Sequence, residues 1–271
     1  MKLIRNILLL SAIFACGEVF AQTDSAYQPV SEIPYPVSCF LVNPTGELYI
    51  ITPGNQLKKY GPSGDSIGVF NNVKNYGQLS YVAGQNPWKT LLFYEGFQTI
   101  VMLDNYLSVT GTIQLANQNI FKVRAITSSY DNHIWVFDEG DFKIKKIDDN
   151  GNLLSASVDL RQVMDDIPHP EKIIDNDGLL YLYDPDRGIF VFDYYGSFKI
   201  RLPFLHWKNL FIVDKTIYGF DDTKMYAYKS PQPLPAETIL PSSFQNATQI
   251  GFSGQKIYVL KNGTLKVYHQ P

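Results

Sequence analysis

A short apolar strand with an aromatic residue at its second position recurs along the chain. The copies are Leu48-Tyr49-Ile50-Ile51, Ile134-Trp135-Val136-Phe137, Leu180-Tyr181-Leu182-Tyr183, Ile217-Tyr218-Gly219-Phe220 and Ile257-Tyr258-Val259-Leu260, with a weaker one at Leu91-Leu92-Phe93-Tyr94. Their second positions, 49, 92, 135, 181, 218 and 258, stand 43, 43, 46, 37 and 40 residues apart. That interval is the length of one four-stranded propeller blade. A polar turn precedes most copies, as in Pro44-Thr45-Gly46-Glu47 or Asp175-Asn176-Asp177-Gly178, and these are hairpin-turn residues. An alternating strand follows each copy (residues 57–60, 99–103, 144–148, 189–193, 225–228 and 265–268), and then a further turn and a fourth strand such as 153–158 or 197–202. Upstream of each copy lies the first strand of its unit, as in residues 39–42, 122–127 and 210–213.

The last unit is incomplete, because only His269, Gln270 and Pro271 follow its third strand. A spare extended segment, residues 26–33, precedes the first unit and is expected to supply the missing strand. A ring closed by both termini leaves no long exposed edge. Residues 159–166 predict a turn or two of helix in a loop between blades, and the Pro-rich run 231–235 falls where the fifth blade passes to its outer strand, an edge position that tolerates proline. The expected fold is all-β: a six-bladed β-propeller whose last blade is closed by an N-terminal strand. It occupies residues 22–271 as one domain.

The run Gly178-Leu179-Leu180-Tyr181-Leu182-Tyr183-Asp184, followed by Gly188-Ile189-Phe190-Val191-Phe192-Asp193 and then Gly196, resembles the NHL-type six-bladed propeller repeat, and residues 131–151 are similar. Blade two departs furthest, with Asn86-Pro87-Trp88-Lys89 in place of the glycine turn. The resemblance implies a fold more than a function, since NHL-like propellers are mostly binding and scaffold modules with a minority of enzymes.

The N-terminus predicts export. Lys2 and Arg5 precede a short apolar core at residues 8–14, and Val19-Phe20-Ala21 presents a cleavage site that makes Gln22 the new start and residues 1–21 the signal peptide. The apolar run is too short to span a bilayer. Ile13-Phe14-Ala15-Cys16 loosely resembles a lipoprotein box, which would anchor the chain by lipid at Cys16 without altering the fold; cleavage after Ala21 is the preferred reading. The only cysteines are Cys16 and Cys39, so no disulfide framework is expected, and Cys39 reads as a small buried hydrophobe. The net charge of -3 argues against phosphate neutralisation on nucleic acid.

The sharpest chemical pattern is an acid after the second strand: Glu95, Asp138, Asp184 and Asp221 in four consecutive blades. Carboxylates there could attract a cation or basic partner, although an aspartate at such a turn commonly bonds its own amides. His133, His169, His206 and His269 are isolated, with no paired ligand spacing. Tyr76, Trp88, Tyr130, Tyr194, Tyr195 and Trp207 lie in or near expected turns, where exposed rings could stack on sugars or anchor a protein. The run Phe204-Leu205-His206-Trp207, bridging two blades, is the preferred exposed candidate, so His206 and Trp207 join the four acids as candidate binding residues.

The leading expectation is a non-catalytic, protein-interaction propeller of the bacterial cell envelope, in the periplasm or at the outer membrane. It needs no cofactor and has an envelope protein as partner. Two alternatives stand beside it. One is a metal-dependent, lactonase-like hydrolase holding a divalent cation in the channel, with Glu95, Asp175 and Asn246 as candidate ligands. The other is a carbohydrate-binding propeller, which calls for coplanar exposed rings in a groove.

Overall fold

The second strand of each blade is apolar along its middle because both of its faces are largely buried there. In blade three, Ile134 and Val136 pack against blade two, while Trp135 and Phe137 pack against blade four. Blade four repeats the arrangement, Leu180 and Leu182 facing backwards and Tyr181 and Tyr183 forwards. A strand's period of two sends alternate side chains to opposite faces, so each blade feeds two cores. The computed structural model describes residues 27–270, and the hydrophobic core there divides into six clusters, one between each pair of neighbouring blades. The aromatic second position of the repeat is thus the residue that reaches into the next blade.

Six four-stranded antiparallel sheets make the propeller, five of them in simple sequence order. Blade three, for example, runs Val123–Ser128, Ile134–Asp138, Lys143–Ile147 and Leu153–Ala156. First strands of neighbouring blades approach one another, Val123–Ser128 lying beside both Lys172–Asn176 and Tyr81–Ala83, which places them around the axis. Their inner edges have no strand to pair with, yet their backbone groups need partners. Side chains from the preceding blade supply several. Gln98 accepts from the Val123 amide at 2.6 Å and donates to its carbonyl at 2.9 Å. Gln249 accepts from the Phe40 amide at 2.8 Å, and Asn209 donates to the Ile250 carbonyl at 2.6 Å.

The sixth sheet has the order expected from the incomplete last repeat. Pro29–Glu32 pairs antiparallel with Thr264–His269, outside Lys256–Lys261 and Gln249–Ser253. Ile33 extends the join by donating to the Leu265 carbonyl at 2.9 Å, and Tyr27 packs edge-on against Phe244. Helix is scarce among the described residues: one four-residue turn, Val73–Tyr76, and three 3-10 turns. One of these, Leu160–Gln162, lies in the insertion where a short helix was expected.

The weak copy in blade two is aligned one residue out. Its strand is Thr90–Tyr94, and here Leu91 and Phe93, not Leu92 and Tyr94, face the following blade. A one-residue slip exchanges the two faces of a strand, and an apolar run with no alternation gave no signal to prevent it. No helix among the described residues is long and apolar enough to cross a membrane. The leader, its cleavage point and Cys16 lie outside those residues. Cys39 is half-buried and unpaired among them, and burial pushes its thiol up to about 11.

The closing strand is expected to be needed for a stable monomer. A chain beginning at Pro34 should melt at least ~5 °C lower, at a few degrees per kcal/mol lost for a domain of this size. It should also self-associate through the edge left bare at Thr264–His269. Calorimetry with light scattering would test this; a monomer melting like the parent would refute the closure role.

Candidate functional site

Antiparallel order gives the ring two unlike faces. One carries the second turns and the blade-to-blade connections, and the other carries the first and third turns. The acids after the second strands belong to the former, where three of them organise their own turns. Asp138 is buried and accepts from the amides of Lys122 (3.2 Å) and Gly140 (2.9 Å) and from Lys145 Nζ (2.7 Å). Asp184 accepts from the amides of His169 (2.8 Å), Asp186 (3.0 Å) and Arg187 (3.2 Å), and from the Arg187 guanidinium (3.1 Å). Asp221 accepts from the amides of Thr223 and Lys224, each at 2.7 Å, and from the Tyr226 hydroxyl at 2.6 Å. Partial burial raises the Asp221 carboxyl, but these hydrogen bonds outweigh it and hold the group at about 2.

Glu95 stands apart from this pattern. It opens the 3-10 turn Glu95–Phe97, is exposed, and makes no side-chain hydrogen bond among the described residues. The register slip in blade two accounts for this, since Glu95 is not equivalent to the three aspartates. The residues considered as metal ligands are not brought together either. Glu95 and Asn246 lie at the face of the second turns and connections, whereas Asp175 lies at the end of the first strand of blade four, at the opposite face. Among the described residues no group of three or more His, Cys, Asp and Glu side chains could hold a metal ion.

Trp207 is not the exposed ring expected of it. Only 7% of it is accessible. It is stacked between Phe204 (4.5 Å) and Tyr226 (5.0 Å), with interplanar angles of 7° and 10°. The reason lies in the repeat itself. Gly219 occupies the position filled by Ile50, Val136, Leu182 and Val259 in other blades, and the Trp207 indole lies across it, within 2.5 Å of where a Cβ would stand. The tryptophan fills the vacancy that the glycine leaves. His206 beside it is exposed, with Nδ1 3.8 Å from Asp186.

The opposite face holds an open cleft of about 910 Å3 over blades two to four. It is lined by the turn of residues 85–88, by Tyr130 and Tyr194, and by the ends of the first strands of blades three and four. Trp88 is 77% exposed and Tyr130 70%. The Tyr130 and Tyr194 rings stack at 5.0 Å with an interplanar angle of 4°, and Lys146 Nζ lies over the Tyr130 ring, 5.1 Å from its centroid.

Asp175 holds this wall in place. It accepts from the Tyr194 hydroxyl, from Trp135 Nε1 at 3.0 Å and from the Tyr130 amide at 3.2 Å. Burial raises the Tyr194 phenol, and the bond to the Asp175 carboxylate raises it further, so the hydroxyl stays a donor. The hairpin Asp177-Gly178 beside it has both residues at positive φ, 49° and 82°, the backbone a two-residue turn between twisted strands requires. Asn86 accepts from the Trp88 amide at 2.9 Å and donates to Asn132 Oδ1 at 2.8 Å, joining the first turns of blades two and three. The charges around the cleft are paired: Lys89 with Asp149, Lys146 with Asp131, Lys215 with Asp177. His133 Nδ1 faces Asp131 at 3.2 Å. The sequence singled out all three rings as turn aromatics but did not bring them together, and it weighed Asp175 only as a metal ligand. The signal that marks the place is Asn86-Pro87-Trp88-Lys89, the largest departure from the repeat.

No family model matches the chain, and no curated protein does. Among solved structures the fold is similar to virginiamycin B lyase from Staphylococcus aureus, solved as a catalytically inactive variant with quinupristin. The TM-score is 0.58 at 13% identity, over 90% of this chain and 87% of that one. A streptogramin B lyase aligns with a TM-score of 0.57 at 15% identity, over 88% and 86% of the two chains. The WD40 domain of Pan2 from Neurospora crassa aligns at 0.56 and 11% identity, over 90% and 95%. At such identities the likeness concerns the propeller fold alone, and the NHL-type pattern remains a likeness of the motifs in blades three and four.

The buried and exposed tryptophans should respond differently to truncation. Trp207→Ala should cost about 3–5 kcal/mol in urea unfolding, as a large core deletion does, while Trp88→Ala should stay within about 0.5 kcal/mol. Equal effects would return Trp207 to the surface. For Asp221, a carboxyl held low in the fold stabilises above its unfolded pKa of about 4, and that contribution fades as pH falls towards the folded value. The deficit of Asp221→Asn at pH 7 should therefore shrink by about pH 2.5 in the same assay. A constant deficit would show that the carboxylate's charge is immaterial.

Proposed function

We propose that the chain is a non-catalytic recognition propeller of the cell envelope, and that it holds its partner in the cleft over blades two to four. The observation that carries this reading is the aromatic wall. Tyr130 and Tyr194 are stacked and tied to one acceptor, Asp175, yet Tyr130 is largely exposed and shares the cleft lining with the exposed Trp88. Large exposed rings cost a monomer solubility, and fixing them in place has a use when something docks on them. A wall already ordered before binding loses little freedom on association.

The envelope assignment rests on the N-terminal pattern, a charged stretch at Lys2 and Arg5, a short apolar core and Val19-Phe20-Ala21. The turn acids contribute to the fold on the other face, since their oxygens are engaged by their own loops.

A photo-crosslinking side chain placed at Trp88 in cells of the native host is expected to capture an envelope macromolecule. The same group at Phe121, an exposed ring in a blade-to-blade connection, should capture none. Equal capture from both positions, or capture from Phe121 alone, would overturn the assignment of the cleft.

A further inference from the structure

We infer that the cleft ligand is a neutral carbohydrate chain, an inference that rests on the recognition reading above. Three features of the site lead to this ligand class. First, its rings are flat surfaces presented across a groove, not a pocket that encloses an apolar side chain. Trp88 comes from blade two and the stacked Tyr130–Tyr194 pair from blades three and four. A pyranose offers an apolar face of C–H bonds to the electron-rich face of such a ring.

Second, the free polar side chains lining the cleft are amides. Asn176 lines the cleft without a side-chain hydrogen bond among the described residues. Asn132 gives its side-chain oxygen to Asn86 but leaves its amide nitrogen uncommitted. An amide both donates and accepts, which suits the hydroxyls around a sugar ring, themselves donors and acceptors.

Third, the charged side chains around the cleft already have hydrogen-bond or ion-pair partners. Lys89, Lys146 and Lys215 each sit against an aspartate, and Asp175 is occupied by three donors. A charged ligand would have to displace one of these partners, an aspartate from its lysine or a donor from Asp175, so the cleft favours a ligand without charge.

Affinity electrophoresis of the mature chain through gels containing dextran, mannan or hydroxyethyl cellulose tests the inference, alongside titration with chitin oligosaccharides. At least one of these should bind, and Trp88→Ala and Tyr130→Ala should each weaken binding about tenfold or more, as loss of a stacking anchor does. Phe121→Ala, on the opposite face, should leave it unchanged. All three residues are largely exposed, so the variants retain the fold, and matching circular dichroism confirms it. Failure to bind any of these glycans, with a protein captured by the crosslinker at Trp88, overturns the carbohydrate inference and keeps the recognition cleft. Failure to bind with no capture overturns both. Glycan binding that survives both ring substitutions removes it from this cleft.

Discussion

Each blade is a sheet with two apolar faces and no helical layer to cover either, so only another blade can bury them. In Ile134–Asp138 every residue is buried, the odd positions against one neighbour and the even ones against the other. An open row of such blades would leave an apolar face bare at each end, and the ring removes both ends at once. The pairing of Pro29–Glu32 with Thr264–His269 is therefore more than one added ladder. It joins the start of the chain to its last blade, which packs on the first through Phe40, Leu48, Tyr258 and Val267. Closure in turn fixes the first strands around the axis, and with them the turns that form either face.

Much of this was legible in the sequence because the repeat encodes packing. An aromatic second position recurs since one large side chain per blade must cross to the next, and polar turns mark where hairpins reverse. The closing strand was legible as a deficit, a last unit one strand short beside a spare extended segment. Blade two was misread by one residue because Leu91-Leu92-Phe93-Tyr94 is apolar throughout and so carries no phase. That slip also placed Glu95 in a ring of acids where it has no equivalent role.

The site was harder to read, since it depends on which turns share a face and on what each side chain touches. Trp207 looked like a surface ring because it sits in a connection between blades. The informative residue was Gly219, twelve positions later, whose missing side chain makes room for the indole. Asp138, Asp184 and Asp221 recur for a reason local to each turn, and recurrence in a repeat protein is first a statement about what every unit needs. A feature that appears once is the better guide to recognition, because no shared structural demand explains it. Asn86-Pro87-Trp88-Lys89 is such a feature.

That contrast also explains why the cleft is where it is. Trp88, Tyr130 and Tyr194 come from three different turns on blades two, three and four. No single loop could hold them in a fixed relation, yet the ring can, because the turns of Trp88 and Tyr130 leave first strands that pack on their neighbours, and the turn of Tyr194 is tied to a first strand through Asp175. Asp175 makes the link explicit. It lies at the end of the first strand of blade four, and it bonds to the Tyr130 amide and Trp135 indole of blade three as well as to the Tyr194 hydroxyl of its own blade. One carboxylate thus stitches two blades together and sets the pitch of the wall. The spacing between the rings is a property of the closed propeller, and selectivity for a ligand of matching repeat would follow from that spacing more than from any single contact.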